Sequence, residues 1–446
     1  MNVFTKLLGI EDLDESLQSI SKTYFTIDTI KNFTFSVAET FLVLYVLQFV
    51  SFVQLGILIS VRYAIQSVLD YPTGVIADFV GYKKVLIIAF VGHFLSILTF
   101  IYANNFIGFL IAYSLFAISA SQESGALPSW YDNLYEERDT VDEHRTHFGA
   151  FKGKVEAANN AIRGIAFILG GILSVLYSRR FLLKVELGCI VFLLILVSVL
   201  MEGSNIGDDK LTMRKYMTLL KGGTSFVFSD PAIRYYFLGI AMVEGFIMGI
   251  WFSQMIFPFY EAYSSTDSYT GLLRSLIYWT GVFWTLLAVK VSKKVTRESL
   301  YKSSLIAYLF AGPVFITILL VYNLVVPPID HFDLKIYLSV ILIFQTLNFA
   351  LAMDNIFRAR IVLQIVPPNI RNSVYSLEPT LVTLIGIPAS LVGGYMINRW
   401  NFTGGFVLII VGSLIGFVLY LKATKLLNIR YQNEVLVNNT PTTLLD

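Results

Sequence analysis

Charge is scarce in this sequence. Only 14% of its 446 residues are Asp, Glu, Lys or Arg, against about 25% in a soluble domain. Cysteine is nearly absent. Cys189 stands alone inside an apolar run, which excludes an intrachain disulfide and argues against a thiol-based metal or redox site. The four histidines are scattered, and none pairs with another His or Cys at helical spacing. No His-Glu-x-x-His run occurs, so no metal or cofactor is expected and an enzyme would lack a metal or nucleophile–base constellation. A Gly-x-x-x-x-Gly-Lys loop is also missing, which argues against an ATP-driven pump. The net charge of +2 says nothing about nucleic acid, and none is expected as a partner. Residues 1–31 are polar and mixed in charge, without the basic start and short apolar core of a cleaved signal. They read as a cytosolic arm with a short amphipathic helix.

What remains is hydrophobic. Apolar residues make up 56% of the chain, and the mean hydropathy is +0.68. Spanning hydrocarbon takes about 20 apolar residues. Such segments fall at 33–51, 54–77, 84–102, 106–130, 150–177, 180–201, 232–260, 269–290, 300–322, 335–357, 372–397 and 403–424. The expected fold class is an all-α membrane protein with twelve transmembrane helices in two six-helix pseudo-repeats. The division is an N-terminal arm (1–32), a first bundle (33–201), a cytosolic linker (202–231), a second bundle (232–428) and a tail (429–446). The lipid bilayer is the solvent, and a monomer is expected.

Basic residues orient the chain. With the N-terminus in the cytosol, only Arg179, Arg180, Lys184, Lys335 and Arg399 fall outside, and Arg62, Arg163 and Arg274 fall within spans. The rest of the 33 Lys and Arg lie on the cytosolic side. This asymmetry predicts a multi-pass plasma-membrane protein with both termini inside. Arg358 and Arg360 read as cytosolic anchors that snorkel to headgroups. Two echoes support a duplication. Tyr131-Asp132-Asn133-Leu134-Tyr135 matches Met353-Asp354-Asn355-Ile356-Phe357, and Gly170-Gly171 matches Gly393-Gly394 at nearly the same offset, close to half the chain.

Between the second and third spans lies Gly74-Val-Ile-Ala-Asp78-Phe-Val-Gly81-Tyr-Lys83-Lys84. This turn resembles the signature loop of the major facilitator superfamily. Ser124-Gly125-Ala126 with Trp130 to Leu134, and Pro367 to Arg371 with Ser373 and Ser376, are similar to further stretches of that family. Phe79 and Tyr82 depart from it at usually basic positions, and the second-half copy near Lys290, Lys293 and Lys294 keeps only basic charge. The resemblance implies a transporter working by alternating access. It also implies a cytosolic gate at Gly74, Asp78, Gly81, Lys83 and Lys84, and a cavity lined by the first, fourth, seventh and tenth helices. Asp70, two turns before Asp78, and Asp132, whose repeat partner is Asp354, join the gate candidates.

Ionisable residues within spans are functional candidates by default. The cavity candidates are Glu39, Arg62, Gln122, Glu123, Trp130, Arg163, Glu244, Trp251, Gln254 and Asp354. Glu39, Glu244, Glu123 and Glu378 are candidates for carrying protons, because a desolvated carboxyl group titrates nearer neutrality. Structural ion pairs such as Glu39 with Arg62, or Glu123 with Arg163, are the competing reading. The function expected is secondary transport of a small polar or organic solute coupled to protons or another ion. An efflux permease for drug-like or organic cations, and a receptor-like protein on the same fold, are the alternatives.

Overall fold

Short polar residues just ahead of apolar runs start several helices. In the computed structural model, Asp14 accepts from Leu17 N at 2.7 Å and Ser178 accepts from Phe181 N at 3.1 Å. Asp230 accepts from Ala232 N at 2.8 Å, with Pro231 as the first helical residue. Each cap satisfies a backbone N–H that has no partner within its helix. The elements are α1 (Val3–Leu8), α2 (Glu15–Val46), α3 (Phe52–Val80), α4 (Tyr82–Tyr102), α5 (Phe106–Arg138), α6 (Thr146–Leu176), α7 (Arg179–Leu200), α8 (Met213–Ser229) and α9 (Pro231–Phe246). A π-helical stretch (Ile247–Met255) joins α9 to α10 (Ile256–Ala262), followed by α11 (Asp267–Ser292), α12 (Arg297–Leu324), α13 (Leu334–Ile365) and α14 (Arg371–Asn439). The structure describes residues 3–11, 13–138, 146–203, 213–292, 294–324, 333–366 and 371–439; within these, the side chains of 70–79, 213–220, 306–312, 431–439 and some single positions fall outside the description.

Two backbone positions shape this order. Gly81 alone separates α3 from α4 and has φ of 94°, a conformation that strains any residue with a Cβ. Trp400 and Asn401 leave helical geometry inside α14, with Asn401 at φ 52°. Asparagine is among the few residues that tolerate positive φ. The break divides α14 where the sequence places the turn between its last two spans.

Among the described residues, nine helices are long and apolar enough to cross a membrane, one of them running through the 400–401 break. The expected twelve also counted α2, whose first half is polar, and α12, where Pro313–Leu324 forms a shorter apolar helix. The faces suit hydrocarbon. On α4 the exposed Ile88, Val91 and Leu95 form an apolar stripe, while His93 and Ser96 are buried. Lipid solvates such a stripe, whereas water would make it an aggregation hazard.

The chain forms two compact units. The first comprises Met1–Met213, Gln254–Val282 and Pro328–Tyr337. In it α4 packs on α5 and α7, α5 on α3, and α2 on α6 and α7. The first part of α11 lies against α6 by virtue of small residues. A Cβ on Gly271 would stand 2.3 Å from Phe167 O, and one on Gly171 2.7 Å from Asp267 O. Ser275 Oγ donates to Gly164 O at 2.9 Å along the same seam. Gly170, the other member of the glycine pair, abuts Val37 O of α2. The second unit comprises Arg214–Ser253, Phe283–Pro327 and Leu338–Asp446. It is built on α9 against α14, with α12 beside α14. Its core is aromatic: Trp251 stacks on Phe344 at 5.2 Å and meets Phe315 and Phe406 at 5.9 and 5.8 Å.

Candidate functional site

The signature turn and the fourth-span echo meet within the first unit. Asn133 Nδ2 donates to the Tyr82 hydroxyl at 2.8 Å. Tyr82, a departure from the family pattern, therefore joins the turn to α5 through a hydrogen bond. Lys83 Nζ donates to Ser198 O at the end of α7, at 2.8 Å. The side chains of Asp70, Gly74 and Asp78 lie outside the described residues, as does the stretch 367–370.

A polar seam runs between α2 and α6 in the same unit. On α6, Lys152, Glu156, Asn159 and Arg163 recur every three or four residues and so share a face. Lys152 Nζ donates to the Tyr24 hydroxyl at 2.5 Å, Asn159 Nδ2 to Asp28 Oδ2 at 2.7 Å, and Arg163 Nε to Asn32 Oδ1 at 2.8 Å. Lys31 sits between Asp28 at 3.1 Å and Glu123 of α5 at 2.8 Å. The sequence reading placed Lys31 among cytosolic charges because apolar residues begin only after it. The structure corrects this: α2 runs unbroken from Glu15, and Lys31 is turned inward between two carboxylates. Glu123 therefore pairs with Lys31 rather than Arg163. Arg163 also reaches the Tyr278 hydroxyl at 3.4 Å and Glu156 at 3.6 Å.

The second unit holds an acid-rich cluster. Arg358 of α13 pairs through Nη1 with Glu244 of α9 and, at 3.2 Å, with Glu378 of α14. One turn earlier on α13, Asp354 is 7% exposed, and its Oδ1 has no hydrogen-bond partner. Arg358 thus points into its unit instead of snorkelling, because two carboxylates on neighbouring helices hold it. Two carboxylates share one guanidinium, and a third carboxyl group lies one turn away on the helix that carries it. Inserting a single charged Asp at a helix centre costs about 2.5–3.5 kcal/mol, so the unpartnered Asp354 is the least comfortable anion of the set. Protons or a bound cation would relieve that excess.

The other expected residues are dispersed. Glu39 is exposed. Arg62 makes no ion pair with it; its guanidinium lies 4.4 Å from the Phe116 ring centroid, and its Nε has no partner. Trp130 is 1% exposed and donates to Glu202 O at 3.1 Å. Trp251 and Gln254 are buried, Trp251 in the aromatic core. Gln122 and Asp132 are half-buried.

Two arrangements escaped the sequence reading. Arg179 grips Asp267 through Nε at 2.9 Å and Nη2 at 2.7 Å, and also pairs with Glu261. His93 Nε2 lies 3.0 Å from Glu186 Oε1, with both residues buried. An ionisable residue inside a span was a sufficient signal for His93 and Glu186. Arg179 sits at a span edge and carried no such signal.

No protein-family model matches the chain, and no curated protein matches it in sequence. Solved structures do match. The chain is similar to a nucleoside transporter, NupG, at 12% identity and a TM-score of 0.70, covering 91% of this chain and 98% of that one. It is similar to a mutant of a peptide transporter, POT, at 13% identity and a TM-score of 0.69, covering 91% and 94%. A POT family transporter in complex with 5-aminolevulinic acid matches at 14% identity and a TM-score of 0.65, covering 91% and 98%. At these identities the likeness establishes the fold alone, the all-helical fold that these transporters share.

Proposed function

We propose that this protein is a secondary active transporter that moves a small polar organic solute across the plasma membrane by alternating access, coupled to protons. The single observation that carries the coupling is the cluster of Glu244, Asp354 and Glu378 around one Arg358. Such a cluster cannot hold all its charges in low dielectric, so it takes up and releases protons as its wetting changes. Glu244 and Glu378 trade Arg358 between them, and Asp354, with a free carboxyl oxygen, carries the proton. The seam from Lys31 to Arg163 serves as the polar wall of the first unit. The fold shared with nucleoside and peptide transporters supports a solute of that size and polarity. Both termini face the cytosol, as the distribution of basic residues supports.

The test is uptake into proteoliposomes under an imposed pH gradient, beginning with nucleosides and short peptides. The parent accumulates solute only with the gradient. Asp354→Asn loses gradient-driven accumulation but still exchanges solute across the membrane at equilibrium. Absence of pH-driven flux for every solute in the parent removes proton coupling, and a parent-like Asp354→Asn removes Asp354 from it.

A further inference from the structure

Arg274 is the only lysine or arginine in the buried class among the described residues, at 7% exposure. It lies on α11 within the first unit. Its guanidinium carbon stands 5.3 Å from the ring centroid of Phe167, 5.3 Å from Phe257 and 5.1 Å from Tyr278. Three helices, α6, α10 and α11, thus supply the frame. Its Nε has no hydrogen-bond partner, and among the described residues no carboxylate pairs with it. The nearest acid on its own helix, Asp267, is occupied by Arg179. Its guanidinium hydrogen-bonds to the Tyr260 hydroxyl, which is not a carboxylate counter-ion.

Ring faces offset part of the cost of burying a cation, and the Tyr260 hydroxyl takes one hydrogen bond, but neither supplies a counter-charge, and Nε is left without an acceptor. The second guanidinium at Tyr278 belongs to Arg163, which already has Asn32 and Glu156 as partners. One cation is therefore left over, framed by aromatic surface. We propose that Arg274 is the anchor of a binding site for an organic monocarboxylate with a flat apolar body. The carboxylate matches the planar fork of the guanidinium, one negative charge balances the single unpaired cation, and the apolar body stacks on the rings. A dianionic phosphate would need a second free cation, which the frame does not offer. This site is separate from the acid cluster described above and does not depend on transport being proton-coupled.

The experiment is equilibrium photolabelling of the full-length protein in detergent with 4-azidobenzoate, read by peptide mass spectrometry. No gradient or flux is needed, so a failure of the transport reading leaves this result intact. Labelling is expected on α6, α10 or α11 around Phe167, Phe257 and Tyr278. An excess of benzoate should suppress it at least tenfold, and an equal excess of benzamide, of the same shape without the charge, should not. Arg274→Gln should lose the benzoate-protected label while eluting as a monodisperse protein. If that variant does not fold, the contrast between benzoate and benzamide on the parent still decides. No labelling of these helices, equal protection by benzamide, or undiminished protected label in a folded Arg274→Gln each overturns the proposal.

Discussion

Arg179 and Asp267 are joined by two parallel hydrogen bonds, Nε to Oδ2 at 2.9 Å and Nη2 to Oδ1 at 2.7 Å. Eighty-eight positions separate them in sequence, yet both belong to the first compact unit. Ser174 donates to the same carboxylate, Arg179 also pairs with Glu261, and its Nη1 reaches Leu44 O at 3.4 Å. The pair thus ties the start of α7 to the start of α11 and to the end of α2. Fork-to-fork geometry makes this stronger than an ordinary surface ion pair. Arg179→Gln and Asp267→Asn should each destabilise the protein by about 1.5–3 kcal/mol. A double-mutant cycle by thermal unfolding in detergent should return a favourable coupling. Additive losses would show that the two residues do not act together.

Arg358 neutralises the acid cluster, so removing it alone should be worse than removing it with a partner. Arg358→Gln leaves the half-buried Glu244 and Glu378 without a counter-charge, at a cost of up to about 3 kcal/mol. Glu244→Gln combined with Arg358→Gln should recover part of that loss. Unfolding midpoints of the parent and the two variants check the order, and a double variant less stable than Arg358→Gln would contradict it.

Close approach of α11 to α6 depends on Gly271. Its missing Cβ leaves room for Phe167 O, 2.3 Å from where that carbon would stand, and the clash is with backbone, which cannot swing away. Gly271→Ala should cost about 1–3 kcal/mol, and Gly271→Leu more. Gly188, which has no heavy atom within 4 Å of such a carbon, is the control. Equal effects of alanine at both positions on thermal stability would refute the packing account.

Asp230, just ahead of α9, is the titrating cap. Burial acts to raise its carboxyl pKa, but Arg430 and the backbone N–H groups of Ile233 and Ala232 outweigh it and hold the group below the usual range. A depressed folded-state pKa contributes stability that is full above the unfolded value, near 3.9, and is lost as pH falls through the folded value. Asp230→Asn keeps the cap and loses the titration, since Asn caps about as well as Asp. The parent should therefore lose stability relative to Asp230→Asn as pH drops from about 5 to 3, as measured by unfolding midpoints across that range. Parallel curves would show that Asp230 does not titrate with folding.

The helical membrane class was legible because it rests on local signals. Apolar runs near 20 residues, basic loops and a lone Gly81 are features of neighbouring residues, and helices form from neighbours. The turn at 400–401 fell where the sequence placed it for the same reason. Charge pairing was much less legible. Glu123, a cavity and proton-carrying candidate by sequence with Arg163 as its alternative partner, is held by Lys31; Arg358, a headgroup anchor by its place in the chain, is held by Glu244 and Glu378. The turn motif and the fourth-span echo were both visible, yet nothing in either revealed that Tyr82 and Asn133 touch.

By itself the sequence determined the solvent, the helices and the positions of the intramembrane charges. Hydrophobicity and turn chemistry act over a few residues, and the bilayer imposes helix on whatever enters it. Only the tertiary structure decided which charges neutralise one another and which are left over. Pairing depends on which faces of distant helices come within about 4 Å, and that distance is set by packing across the whole unit. Asp354 and Arg274 are conspicuous not for their identity but because packing has buried each of them without a counter-ion within reach of its free atom.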